Sequence, residues 1–476
     1  MRRALVPISL SRGLLLAVAA ALLPACQGNG GLGPQTRGAL AHRHSSSGSP
    51  IQHVVIIVQE NRSFNNLFYG FPGARTSGYG FTSKGQQVTL QPVSLATTWD
   101  LQHNGKGFIK SCRGTGSIPG TNCRMNGFDK EKWTCGVPSG QPCHDQYPPY
   151  SYVPQYQVQP YFDMANQYVL ADEMFASDFD TSSFMSHQYI IAGVNPNSSV
   201  NYPDGVWGCP GGPSVQIAIL GANRNFPSGT EQPCWDPPTI ADELDSAGLS
   251  WAFYATQIRT KGSFNCGGGD IRGANSKGLT GIWSAYQAIR HICYGPDWQN
   301  VITPPSQFLT DVANGKLRTV TWITPTFTNS DHGGSGSLTG PSWVTSLVNA
   351  IGESQYWNTT AIFIYWDDSG GWFDPVPPAY VDNDGLGFRL PLLIVSPYAK
   401  QGYVSHVNYE HGSILKFVED QFGLARLGAS DSRANSPEAD AFDFSAPPRA
   451  FVPIQGSHDK NYFLHQPPDL RPPDGE

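Results

Sequence analysis

The sequence has few charged residues and no basic segment. Asp, Glu, Lys and Arg make up 14% of the 476 residues, and the formal net charge is −7. Nucleic-acid-binding proteins usually carry Lys and Arg clustered on one face or along one helix, so the composition argues against a nucleic-acid partner. The 52 glycines and 39 prolines favour a compact core with long ordered loops over a helical bundle.

Three motifs of common enzyme and metal-binding classes are also absent. No two cysteines are spaced Cys-x-x-Cys, so the usual zinc signature is missing. No Gly-x-Ser-x-Gly segment occurs, and a lipase-like Ser-His-Asp triad therefore lacks its usual sign. No Gly-Lys-Ser or Gly-Lys-Thr is present, which removes the commonest class of nucleoside triphosphatase.

Residues 1–26 have the three parts of a secretory signal. Three arginines lie near an apolar stretch, residues 14–23, that is too short for a convincing membrane span. The segment Leu-Pro-Ala-Cys ending at Cys26 resembles a bacterial lipobox, although Pro24 departs from it and ordinary secretory cleavage is the alternative. Residues 27–50 would form a flexible tether. We expect an exported protein (periplasmic, cell-surface or extracellular) that contacts the membrane only through a lipid anchor at Cys26.

Cysteine counting agrees with export. Eight cysteines follow Cys26, at positions 112, 123, 135, 143, 209, 234, 266 and 293. An even number in an exported chain indicates disulfides, and the close set from Cys112 to Cys143 could staple one loop-rich insertion. The sequence leaves their connectivity open.

Five apolar runs predict buried parallel strands, because they are continuous and rich in Val and Ile. They span residues 53–58, 250–254, 320–323, 360–365 and 390–395. Helical patterns lie between or after them: Thr239 can cap a helix that ends near Gly248, and two more cover residues 344–351 and 412–422. The alternation predicts an α/β fold, a doubly wound and mostly parallel sheet with helices on both faces.

The expected domain spans residues 51–446. Insertions near residues 75–150 and 201–300 are rich in loops and would cover one end of the sheet. The tail, residues 447–476, has prolines among polar residues and is expected to be extended.

Polar residues follow three of the predicted strands. In an open α/β sheet, ligands gather outside the carboxyl ends of the strands. Residues 60–63 (Glu-Asn-Arg-Ser) follow the first strand, Asp331 and His332 follow the third, and Asp367 and Asp368 follow the fourth. Adjacent carboxylates are costly to leave unpaired, and a bound cation is the usual remedy. The set predicts a hard-cation site with phosphate-like partners, although each residue alone also fits an ordinary turn, cap or ion pair.

The segment HVVIIVQENRSF, residues 53–64, resembles the opening signature of the bacterial phosphoesterase family that contains phospholipases C and related acid phosphatases. Further family segments correspond in order to residues 170–193, 322–333, 361–378 and 389–422. The resemblance covers roughly residues 51–446. It implies an alkaline-phosphatase-like α/β fold.

The resemblance also implies roles for individual residues. One divalent metal ion, with calcium, magnesium, manganese, zinc and iron all open, would be held by Glu60, Asn61, Asp367, Asp368 and Ser183. The family's Gly-Pro-Ser or Gly-Pro-Thr nucleophile segment reads Thr-Ser-Ser at 181–183, which selects Ser183 and leaves Ser182 as a rival. His103 and His332 match histidines that face the phosphate. Residues with a weaker correspondence or an outer position are Arg62, Asp331, Ser182, His187 and His411.

The implied function is that of an exported metal-dependent phosphoesterase. It would hydrolyse phosphate mono- or diesters, as an acid phosphatase or phospholipase C does, acting on a small phosphate ester or a phospholipid head group. Ser183 would be phosphorylated while His332 or His103 protonates the leaving alcohol, and water would then release the phosphate. The alternative is a surface-anchored, calcium-stabilised carbohydrate- or protein-binding protein, in which Ser183 and His332 would be dispensable.

Overall fold

The long apolar runs pair with one another in one nine-stranded sheet. The computed structural model describes residues 49–135, 146–179, 182–200, 208–213, 215–256, 266 and 283–469. The strands of the main sheet are β1 His53–Gln59, β2 Val169–Phe175, β3 Trp251–Tyr254, β4 Val301–Ile302, β5 Val320–Ile323, β6 Thr360–Trp366, β7 Arg389–Val395, β8 Tyr403–Ser405 and β9 Tyr409–Glu410. Their order is β4-β3-β5-β1-β6-β7-β2-β8, and β9 also pairs with β2.

The sheet is parallel except at β7. Strand β1 lies between β5 and β6 and is parallel to both, whereas β7 is antiparallel to β6 and to β2. The prediction of a parallel strand at residues 390–395 was therefore wrong in direction. A continuous apolar run indicates burial on both faces but not orientation. Residues 367–388, between β6 and β7, contain no helix, and a parallel neighbour would have needed a crossover.

Helices cover both faces of this sheet. They are α1 Phe64–Phe68, α2 Gly105–Cys112, α3 Gln159–Gln167, α4 Ser183–Ala192, α5 Ile240–Ser246, α6 Arg290–Tyr294, α7 Gln307–Ala313, α8 Gly340–Gly352, α9 His411–Phe422, α10 Ser430–Arg433, α11 Glu438–Ala441 and α12 Lys460–His465. Tyr365 of β6 packs against His411 of α9, and its neighbour Trp366 packs against Tyr161 of α3. Successive strand residues point to opposite faces, so α3 and α9 lie on opposite sides. The predicted doubly wound α/β fold is confirmed.

The expected cap of α5 is present. The backbone N–H and the hydroxyl of Thr239 both donate to Asp242 Oδ2, at 2.7 and 2.8 Å, and the helix ends at Ser246. None of the described helices combines the length and apolarity needed to cross a membrane.

The two loop-rich regions contain small sheets as well as loops. In the first, Trp99–Leu101 pairs with Trp133–Cys135, and α2 belongs to the segment that connects these two strands. The second contains two strands of a three-stranded sheet, whose other strand is Ser199–Val200. Its range, 201–300, also includes β3 and α5 and is therefore only partly an insertion. Disulfides join three pairs of cysteines, Cys112–Cys123, Cys209–Cys234 and Cys266–Cys293, which confirms disulfides for these six. Cys143 lies outside the described residues.

The tail differs from the expected extended segment. Residues 447–469 pack on the domain: Phe451 contacts Trp357, Ile454 is buried, and Phe463 of α12 packs on Trp343. Its prolines prevent long regular elements but leave widely spaced apolar anchors that can be buried. The described residues accordingly belong to one compact unit, His44–Glu476.

Candidate active site

The carboxyl ends of β1 and β6 place four polar residues beside one another. Glu60, Asn61, Asp367 and Asp368 are all fully buried, and the Asn61 backbone N–H donates to Asp367 Oδ1 at 3.0 Å. Asn61 has φ 59°, in the left-handed region that Asn tolerates better than most residues. The two strands are adjacent and parallel, so their ends deliver these side chains to one point.

The turn after Asp368 depends on glycine. Gly370 has φ +58°, and its N–H donates to Asp368 Oδ1 at 2.6 Å. A Cβ at this position would lie 2.7 Å from the carbonyl carbon of Asn61 and closer still to its oxygen. The two acid-bearing turns can touch only because this side chain is absent.

Ser183 joins the four residues from a different part of the chain. It is the first residue of α4, and its Oγ lies 3.3 Å from Asp368 Oδ2 and 3.4 Å from the Asn61 side-chain amide. The hydroxyl of Ser182 is buried and makes no hydrogen bond to any described residue. The geometry thus favours Ser183 over its neighbour. The positive end of the α4 helix dipole also favours negative charge there.

The Asn61 amide connects the acids to two histidines. One end lies 3.0 Å from Glu60 Oε2 and 3.1 Å from Asp367 Oδ1, and the other lies 2.7 Å from His103 Nε2 and 3.0 Å from His332 Nε2. Each ring places its Nδ1 against a carbonyl oxygen, which can only accept: Leu101 for His103 at 2.7 Å, and Gly333 for His332. Both Nδ1 atoms therefore carry hydrogen.

Two orientations of this amide have different requirements. If its NH2 group faces the acids, its oxygen needs Nε2–H from both histidines, and both rings must then be positively charged. If its oxygen faces the acids, the neutral rings accept from the NH2 group, but three oxygens converge and need a cation between them. The second orientation is the one that a bound cation would select.

His187 adds an imidazole to the same cluster. Its Nε2 lies 3.1 Å from Glu60 Oε1 and 3.7 Å from Asp367 Oδ2. Glu60, His187 and Asp367 each offer a ligand atom within 4.8 Å of the others, as do Asp100, His103 and His332. Asp367 Oδ2 is buried and accepts no hydrogen bond from any residue that the structure describes. The site therefore offers carboxylates, an amide, a hydroxyl and an imidazole. This donor set fits a divalent metal ion.

A comparison with known protein families identifies the family of the chain that carries these residues. The profile of the Phosphoesterase family matches residues 51–425, most of the chain. The chain belongs to this phosphoesterase family.

Bacterial and plant phospholipases C are among its relatives. Non-hemolytic phospholipase C of Burkholderia pseudomallei is 23% identical over 80% of this chain and 56% of that protein, so the chain spans about half of that relative. Phospholipase C B of Mycobacterium tuberculosis is 25% identical over 85% of this chain and 80% of that protein. Non-specific phospholipase C1 of Arabidopsis thaliana is 22% identical over 79% and 67%. Family and relatives together indicate a hydrolase that acts on phosphoric esters.

A solved structure of a protein in the alkaline phosphatase superfamily from Vibrio parahaemolyticus is also similar. It is 11% identical, covers 82% of this chain and 72% of its own, and has a TM-score of 0.36.

Arg62 supports this phosphoesterase site from behind. Its Nε donates to the Asp331 carbonyl oxygen at 2.7 Å, and its guanidinium stacks on Trp372. Burial lowers the pKa of Arg62 to about 10. Arg62 therefore fixes the backbone that leads into His332.

Asp331 points away from the acids. Its Oδ2 accepts from Tyr161 at 2.7 Å and from Trp366 Nε1 at 3.1 Å, and burial raises the pKa of this carboxyl to about 6. Tyr161 was missed from the sequence, because an aromatic residue on a helix facing a core carries no motif.

His411 is the first residue of α9 but does not cap the helix. Glu410 is the capping residue and pairs with Ser413. His411 Nδ1 instead accepts from the backbone N–H of Ser177 at 3.4 Å, and burial lowers the pKa of the ring to about 4.

Proposed function

We propose that this phosphoesterase is an exported, metal-dependent enzyme that hydrolyses phosphate mono- or diesters through a phosphoserine intermediate at Ser183. The observation that carries the proposal is the position of Ser183 Oγ. A hydroxyl at the start of a helix lies within 3.5 Å of the side chains of both Asn61 and Asp368, two residues that also adjoin the Glu60 and Asp367 carboxylates. A serine hydroxyl needs such activation, because it is a weak nucleophile at neutral pH.

Glu60, Asn61, Asp367, Asp368 and Ser183 would hold the metal ion. When bound, a divalent cation supplies stabilisation of the serine alkoxide and of negative charge on the phosphoryl group. The N-terminal amides of α4 act on the same charge from the protein side.

The chemistry then proceeds in two displacements. Ser183 Oγ loses its proton and forms a bond to phosphorus while the bond from phosphorus to the leaving alcohol breaks, and the proton passes to that alcohol. Water next attacks the phosphoserine, the bond between Ser183 oxygen and phosphorus breaks, and the serine regains its proton. His103 and His332 are the groups proposed to deliver and recover the proton, which is worth about 10²- to 10⁴-fold in rate.

The substrate class and the location are extensions of the family assignment. The named relatives are phospholipases C, which supports a phospholipid head group or a small phosphate ester as substrate. The three disulfides among the described residues are typical of oxidising compartments and support export. The secretion signal and the tether lie almost wholly outside the described residues, so acylation of Cys26 stays a prediction.

The test is hydrolysis of p-nitrophenyl phosphate and p-nitrophenylphosphorylcholine by the purified protein, with and without a chelator. We expect Ser183→Ala to lose at least about 10³-fold in kcat, because it removes the nucleophile. Ser182→Ala is the matched control and should keep most of the activity. The relative rates on the two substrates separate monoesterase from phospholipase C activity.

Activity that survives both Ser183→Ala and the chelator would rule out the proposed mechanism. Absence of activity toward every phosphate ester tried, together with a metal-dependent rise in melting temperature, would instead favour the calcium-stabilised binding protein.

A further inference from the structure

His187 lies on the same helix face as the proposed nucleophile. It follows Ser183 by four residues in α4, and residues four apart in a helix lie one above the other. Both side chains are fully buried and face the residues after β1 and β6. One helix therefore presents a hydroxyl and an imidazole to the same group of acids.

The contacts of the ring fix which nitrogen carries hydrogen. His187 Nδ1 lies 3.2 Å from the carbonyl oxygen of Trp283, which can only accept, so Nδ1 is the N–H atom of a neutral ring. The lone pair of Nε2 then points at Glu60 Oε1 and Asp367 Oδ2, at 3.1 and 3.7 Å. A lone pair facing two buried carboxylates is unfavourable unless a proton or a cation lies between them.

A proton satisfies this arrangement less well than a cation. A hydrogen on Nε2 could serve Glu60 Oε1, but 3.7 Å is too long for a hydrogen bond to Asp367 Oδ2, which finds no other donor among the described residues. A cation would satisfy the nitrogen and both carboxylates together. In addition, a histidine that donates Nδ1–H to a backbone carbonyl has the outer contact that metal-bound histidines almost always make.

We propose that His187 Nε2 is a nitrogen ligand of the ion held by Glu60 and Asp367, and that it makes the site prefer zinc or ferrous iron to magnesium or calcium. Imidazole suits zinc and iron, whereas sites built from oxygens alone suit magnesium, calcium and manganese. The inference rests on the cation site of the proposed function. By sequence alone, His187 is among the residues with a weaker correspondence or an outer position.

Pulsed electron paramagnetic resonance of the Mn²⁺-loaded protein tests the ligand directly. Mn²⁺ is the probe, and a directly bound imidazole nitrogen modulates its electron spin echo. We expect ¹⁴N modulation in the wild type, its replacement by a ¹⁵N pattern after histidine labelling, and its loss in His187→Gln. His411→Gln is the matched control, since His411 is a second buried histidine that lies against Tyr365 near the end of β6. This variant should keep the modulation.

Metal competition gives a second readout that needs no activity. The ratio of Zn²⁺ to Mg²⁺ affinity, measured by titration, should fall by at least about tenfold in His187→Gln, since loss of a group that merely supports a ligand already costs about 10- to 100-fold. If His187→Gln does not fold, as judged by circular dichroism, His187→Asn replaces it with a smaller polar group.

The outcomes separate this inference from the proposed function. Stoichiometric Mn²⁺ without ¹⁴N modulation in the wild type, or modulation that persists in the folded His187 variant, would overturn the nitrogen ligand and leave the cation site intact. A wild-type protein that binds no divalent ion would remove both.

Discussion

Replacement of Gly370 by alanine should separate the geometry of the site from the stability of the fold. The residue has φ +58°, and a Cβ there would lie 2.7 Å from the carbonyl carbon of Asn61. The control is Gly248→Ala at the end of α5, where φ is +70° and a Cβ would meet no atom within 4 Å. Both variants force an ordinary residue into the left-handed region, but only Gly370→Ala pushes the Asn61 turn.

The two expected effects differ in size. The left-handed conformation alone costs about 1–2 kcal/mol of unfolding free energy, and this loss should appear in both variants. The clash at Gly370 must be relieved by moving Asn61 or the Asp368 turn by roughly 1 Å, and a displacement of that size costs about 10²-fold in rate when it misplaces reacting groups.

The measurements are denaturant unfolding and kcat/KM on p-nitrophenyl phosphate under the same conditions. Gly248→Ala should lose stability but stay within about threefold of wild-type kcat/KM, whereas Gly370→Ala should lose stability and about 10²-fold in kcat/KM. If the two variants have equal kcat/KM, close contact between the two turns is not what holds the site, and the reasoning fails.

Three further predictions concern stability and metal. Asp374→Asn should lower the unfolding free energy by about 3–5 kcal/mol, because it leaves the fully buried Arg389 without its carboxylate. Glu173→Gln removes the charge that pairs with the exposed Arg75 side chain and should cost no more than about 1 kcal/mol; urea unfolding checks both. Burial raises the pKa of Glu419 from 4.5 to about 7, so the folded protein holds a proton that the unfolded chain releases, and stability should fall as pH rises between these values. In Glu419→Gln the fall in melting temperature over this pH range should be smaller than in the wild type. Removal of divalent ions by dialysis against a chelator should lower the melting temperature and abolish activity, and an unchanged melting temperature would argue against a cation among Glu60 and Asp367.

Burial in the sheet could be predicted wherever the apolar run was unbroken, as in β1, β5 and β6. Strand β2 was missed because Asp172 and Glu173 interrupt its run. Asp172 is fully buried there, and it accepts from the backbone N–H of Arg75 and lies 2.8 Å from His406 Nδ1. Those partners are distant in the chain, and no local pattern announces that a buried carboxylate will be satisfied.

By itself the sequence determined the chemical types at the strand ends: the Glu-Asn pair after β1, the paired acids after β6, and the glycine that lets the two turns meet. These are local properties, set by a few consecutive residues and by the rule that parallel strands end at the same edge. Only the tertiary structure decided which serine faces the acids and which imidazole joins them. Ser183 meets Asn61 across 122 residues and Asp368 across 185, and His187 meets Glu60 across 127. The physical reason is that the direction of a side chain depends on how its helix packs against the sheet, and packing is fixed by the whole core at once.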